Sequence, residues 1–156
     1  MFKKAARWWL EILTGACLLM VVVMVFLQVV FRFVIKIPAP WTEELARLAF
    51  VYMAFFGIVL GAKYNMHLSV DILEKVPKKW KAVILTASYV ASIAFMGVFT
   101  WYGWVHALNS QVQRTPTLEI SYLYIYLILP FTGILTIFYL LKSLIAVWRH
   151  KDVEDR

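Results

Sequence analysis

Four apolar segments, each long enough to cross a bilayer, decide most of what this chain can fold into. A spanning helix needs roughly 20 largely apolar residues, and segments at about 10–35, 41–62, 82–108 and 121–147 meet that need. In the opening segment the stretch from Ile12 to Leu27 is interrupted only by Thr14 and Gly15. The third carries no charge except His106 near its end, and then only when protonated. The second is the least apolar, because Glu43, Glu44 and Arg47 lie in its first turns, and Lys142 interrupts the fourth. In lipid every backbone polar group must find a partner inside the protein, so helices are the expected form. The fold class is therefore an all-α integral membrane protein, a single membrane domain over residues 1–156 with four transmembrane helices.

Composition agrees. Hydrophobic residues make up 63% of the 156 residues and charged ones 16%, against about half and about a quarter in soluble domains. A chain this short leaves much of its surface exposed, so the excess cannot hide in a core. The 7 Trp, 8 Tyr and 11 Phe exclude disorder, and the single Cys17 excludes a disulfide scaffold. A net charge of +7 could suggest nucleic acid, but the basic residues flank the apolar segments, and no nucleic-acid partner is expected. Lys3, Lys4 and Arg7 before the first segment resemble a signal peptide. The apolar run is too long for one, and no small-residue cleavage site follows it.

Lys and Arg set the orientation. Twelve lie in the amino-terminal tail, the second connection and the carboxyl end; the other side has Arg32, Lys36, Arg47 and Arg114. The positive-inside rule then places both termini in the cytoplasm of a bacterial inner membrane. Trp8, Trp9, Trp80 and Trp148 fall at the inner boundary, and Trp41, Trp101, Trp104, Tyr122 and Tyr124 at the outer one, the depth such rings prefer.

Charges at membrane depth are functional candidates. Gln28 and Arg32 share a helix face, as do Glu43 and Arg47, each pair being four residues apart. Pro38 and Pro40 force a turn between the two helices. That puts Arg32 at the depth of Glu43 and Glu44. Arg32 is expected either to bridge to one of these glutamates, to face a partner protein, or to snorkel outwards. Glu11, a helical turn after Arg7, is most simply a surface pair. Residues 66–76 read as a short interfacial amphipathic helix between the second and third spans, with Leu68, Ile72 and Val76 on one face and His67 and Asp71 on another. Two such groups without a third ligand do not make a metal site. Pro130, with Thr132, Gly133 and Thr136, predicts a bend in the fourth helix. Intramembrane histidine pairs, a second cysteine, a phosphate-binding glycine loop and a serine–histidine–aspartate arrangement are all missing from the sequence. No enzyme, cofactor or metal site is expected.

Phe31-Arg32-Phe33-Val34, Trp41-Thr42-Glu43-Glu44-Leu45-Ala46-Arg47, Phe56-Gly57, Gly61-Ala62, His67-Leu68-Ser69-Val70-Asp71 and Pro130-Phe131-Thr132-Gly133 occur in an order and spacing that resembles the small permease subunit of tripartite ATP-independent periplasmic (TRAP) transporters. The resemblance spans nearly the whole chain, and the third helix adds nothing to it. It implies a division of labour. A periplasmic binding protein delivers an organic acid, such as a C4-dicarboxylate or a sialic acid. A large multi-span permease subunit holds the substrate and sodium sites, and the four-helix subunit packs on its static scaffold within membrane lipid. Gln28, Arg32, Trp41, Glu43, Glu44, Arg47, His67 and Asp71 are then candidate structural or partner-interface residues. The rival reading is a self-contained four-helix exporter or antiporter working as a dimer. That design needs a carboxylate near mid-membrane, whereas Glu11, Glu43 and Glu44 all sit near helix ends. A generic assembly factor is a third reading.

Overall fold

A computed structural model describes residues 2–64 and 78–154, with side chains placed over 8–64 and 83–148. The interfacial helix expected over 66–76, with His67 and Asp71, lies outside the described residues. Helix α1 spans Phe2–Val30 and runs on into a π-helical turn, Phe31–Ile35. Then come α2 (Pro40–Lys63), α3 (Lys78–Asn109), the short α4 (Tyr122–Tyr126) and α5 (Ile128–Glu154). Four helical stretches are long and apolar enough to cross a membrane: Trp8–Ile35, Pro40–Lys63, Val83–Asn109 and Tyr122–Trp148.

Local chemistry explains the ends. Lys36 takes the left-handed conformation (φ 59°) after the π turn, and its N–H and that of Ile37 both bond to the Phe31 carbonyl, closing the helix as a C-terminal cap does. Pro40 then occupies the first turn of α2, where its missing N–H leaves no intrahelical bond unmade. The break between α4 and α5 falls at Leu127, three residues before Pro130. Proline cannot donate to the carbonyl four residues back and its ring crowds that carbonyl, and the helix is interrupted just before it, where the sequence predicts a bend.

The helices lie in a row. α1 packs along α2, α2 on α5, and α5 on α3, whereas α1 and α3 hardly touch. Leu10 is buried, and Glu11, Leu27 and Val30 are partly covered beside a line formed by Leu10, Thr14, Cys17, Val21, Met24, Gln28 and Phe31. The line's alternating spacing of four and three is the 3.5-residue seam of antiparallel helix pairing. Two small clusters form the core: Leu10, Phe56, Val59 and Ile128 in one, Ala62, Tyr89 and Leu140 in the other. At the α3–α5 crossing the backbones approach closely at two glycines. A Cβ on Gly103 would lie 2.9 Å from Leu129 Cβ, and one on Gly133 would run into the Thr100 hydroxyl. Small residues of this kind let membrane helices approach closely.

Candidate functional site

The charged residues gather at the two ends of the row. At the end carrying the α1–α2 turn, α2 presents Glu43, Glu44 and Arg47 in its first two turns. Glu43 Oε1 accepts from Arg47 Nη2 at 3.0 Å, one helical turn away, with both side chains exposed. Glu44 points to the other side of α2 and crosses to the segment between α3 and α4. Its Oε2 accepts from the backbone N–H groups of Thr117 and Leu118 at 3.0 and 3.2 Å. That segment is ordered by its own hydrogen bonds: Thr115 N–H to Ile120 O, Tyr122 N–H to Gln113 O, and Ser121 Oγ–H to Gln111 O. Glu119 turns the chain with a left-handed φ of 53°. Glu44 is thus a latch between α2 and a folded cap.

Arg32 joins neither glutamate. Its guanidinium lies 5.8 Å from the centroid of the Phe33 ring and is exposed, and among the described residues it forms no ion pair. Of the alternatives open for Arg32, the bridge to Glu43 or Glu44 is not made, and the reason is physical. Glu43 has a cation on its own helix at the favoured spacing of four, and Glu44 Oε2 is taken by two amide donors. Trp41 instead fastens the turn, its ring edge-on to Phe31 at 5.9 Å. Gln28 lies half-buried on the seam facing α2.

The opposite end holds a contact that sequence spacing missed. Glu11 Oε1 accepts from Lys63 Nζ at 2.5 Å and from Tyr64 Oη at 2.6 Å. The Glu11 and Lys63 side chains are only 20% and 16% exposed. A charge pair this enclosed ties the start of α1 to the end of α2. Glu11, expected as a surface pair with Arg7, is mostly covered and takes part in this interhelical bridge; the Arg7 side chain lies outside the described residues. The bridge's one sequence signal is the occurrence of a single carboxylate and a single ammonium at matching depth on consecutive antiparallel helices.

Between these ends the interior holds hydroxyls rather than charges. Thr14, Thr100 and Thr132 each donate to a carbonyl four residues back on their own helix. Among the described residues no three His, Cys, Asp or Glu side chains come together as a metal site. What the arrangement does chemically is hold helices together.

A row of four apolar helices, charged at its ends and lined with hydroxyls between, is a multi-pass membrane protein built for packing. The chain belongs to the DctQ component family of tripartite ATP-independent periplasmic transporters, whose pattern it matches over residues 21–150; it is a transporter component and not an enzyme. It is 30% identical to a TRAP transporter small permease protein of Haemophilus influenzae, over 97% of this chain and 94% of that one. It is 27% identical to the sialic acid TRAP transporter small permease protein SiaQ of Vibrio cholerae, over 86% and 78% of the two chains. It also shares 30% identity with the sialic acid TRAP transporter permease protein SiaT of Haemophilus influenzae, over 57% of this chain but 14% of that much longer one.

Proposed function

We propose that this chain scaffolds a large TRAP permease subunit in the bacterial inner membrane, with both termini cytoplasmic, during sodium-driven uptake of an organic acid. A periplasmic binding protein delivers that acid, a sialic acid or a C4-dicarboxylate being the class in view, and the sodium and substrate sites belong to the large subunit. The observation that carries this reading is the openness of α1: none of the residues in its most apolar stretch is buried within the chain. A helix that packs on one neighbour only has surface to give to another protein. Carriers of their own substrate bring broken helices and polar groups together near mid-membrane. Here the charges stand at the ends, and the carboxylate of Glu11 is engaged by Lys63. The match to part of a longer permease chain fits a small unit that works beside a large one.

Reconstitution tests it. Vesicles holding this chain alone are expected to show no sodium-driven uptake of a labelled organic acid, and vesicles holding it with the large permease, supplied with loaded binding protein, are expected to accumulate it. Uptake by this chain alone overturns the scaffold reading.

A further inference from the structure

Helices α2 and α3, both packed on α5, leave a wedge between them. Phe55 of α2 and Phe99 of α3 meet ring to ring, 6.1 Å between centroids. Nearer the end that carries the α1–α2 turn, α2 and α3 stand apart at Tyr52 and Trp104, and the α4–α5 segment forms the floor between them. The result is a trough of about 500 Å³ whose floor includes Tyr124, Pro130, Phe131 and Ile134. Its wall is almost wholly apolar, and the Tyr52 hydroxyl at its side already donates to the Tyr124 carbonyl at 2.9 Å.

We propose that this trough seats one acyl chain of a phospholipid from the leaflet at the turn end. Three observations select that occupant. The lining is apolar and the trough opens at membrane depth, where hydrocarbon is the surrounding medium. Trp104 and Tyr124, 47% and 64% exposed, are the amphipathic rings that favour the interface beside a lipid headgroup. A protein helix is a poor fit, since with its side chains it is about 10–12 Å across and about one turn of it would fill this volume. Crossing helices also seek small contact residues, whereas Phe131, Ile134 and Trp104 are bulky. A flexible chain conforms to such a surface.

The test uses the full chain purified from vesicles of phosphatidylethanolamine and phosphatidylglycerol, with bound lipid counted by native mass spectrometry after detergent washing. One lipid per chain is expected for the wild type. Ile134→Trp, which fills the floor, should retain lipid on the order of tenfold less well, the effect of excluding about two methylene groups. Ile145→Trp, on the same helix but outside the trough, should retain it normally. A second readout leaves packing untouched: phospholipid brominated along its chain, carried through the same washing, should still quench wild-type tryptophan fluorescence, and Trp104→Phe should remove that part of the quenching. Loss of all lipid from the wild type, or equal retention by the two tryptophan variants, overturns the proposal. So does disappearance of the lipid when the chain is bound to the large permease, which would assign the trough to protein.

Discussion

Glu11 and Glu44 are two carboxylates with different partners, and the difference decides what each substitution does. Glu11 faces an ammonium in an enclosed contact, so Glu11→Ala removes the carboxylate that compensates the Lys63 charge. Breaking a buried pair on one side costs about 3–5 kcal/mol, and the residual exposure here lowers the expectation to about 2 kcal/mol. Lys63→Ala should cost as much, and the double variant less than the two single losses together, as read from thermal unfolding in detergent. Glu43→Ala should change stability by about 0.5 kcal/mol or less, since Glu43 and Arg47 meet in an exposed contact. Glu44 is read differently, because its bonds go to backbone. In Glu44→Ala the amides of Thr117 and Leu118 lose their acceptor and should exchange hydrogen faster, while Glu43→Ala leaves them unchanged. Unaltered exchange in Glu44→Ala would mean that the cap stands without the latch. None of these partners is adjacent in sequence. Glu11 and Lys63 are 52 residues apart and Glu44 and Thr117 are 73 apart. Spacing of three and four locates neighbours on one helix, and so it found Glu43 with Arg47. It carries no information on how each helix is rotated toward the next, which is why it offered Arg32 a glutamate that the structure gives to other groups.

At the level of helices, the apolar segments and the Pro130 break could be read directly, since length, hydropathy and the missing proline N–H act locally. The π turn at Phe31–Ile35 could not, because nothing in Phe-Arg-Phe-Val-Ile forbids an ordinary helical turn. The α3–α5 crossing lies between these cases. Gly133 stood out in the sequence, whereas its partner Thr100 is one of several unremarkable threonines. Gly133→Ala places a methyl group against the Thr100 hydroxyl and 3.2 Å from Thr100 Cβ, an overpacking expected to cost about 1–3 kcal/mol. Thr100→Ala in the same chain should restore part of that loss. Gly57→Ala is the control: a Cβ there meets nothing within 4 Å, and removal of a helical glycine should leave the isolated chain equally stable or more so by about 0.5–1 kcal/mol. Equal melting of the Gly133→Ala variant and the wild type would show that the crossing relaxes.

For the whole molecule, the expected orientation follows from charge placement, and the structure adds which ends belong together. Glu44 and the 110–121 segment mark one side, Glu11 and Lys63 the other. In a background lacking Cys17, single cysteines at positions 36 and 113 should react with an impermeant thiol reagent applied from the periplasm, and those at positions 4 and 149 should be shielded. Labelling at position 4 or 149 would reverse or break the topology. The row-like arrangement of the helices was not legible in the sequence. Four spans of similar hydropathy permit a square bundle equally well, and only the rotation of each helix about its axis shows that α1 has a single substantial neighbour.

The length of that first helix brings in a variable that belongs to the membrane rather than to the protein. The 28 residues of Trp8–Ile35 extend about 42 Å at 1.5 Å per residue, beyond a hydrocarbon core of about 30 Å, whereas α2, with 24 residues, reaches about 36 Å. The excess must be taken up by tilt, by thickening of the surrounding lipid or by emergence from it. Because Glu11 couples the low end of α1 to α2, tilt in one imposes tilt on the other. Bilayer thickness therefore acts as a mechanical setting on the hairpin as a unit. Oriented infrared dichroism across lipids of increasing chain length should show α1 and α2 becoming more upright together in the wild type and separately once Lys63 is replaced by alanine.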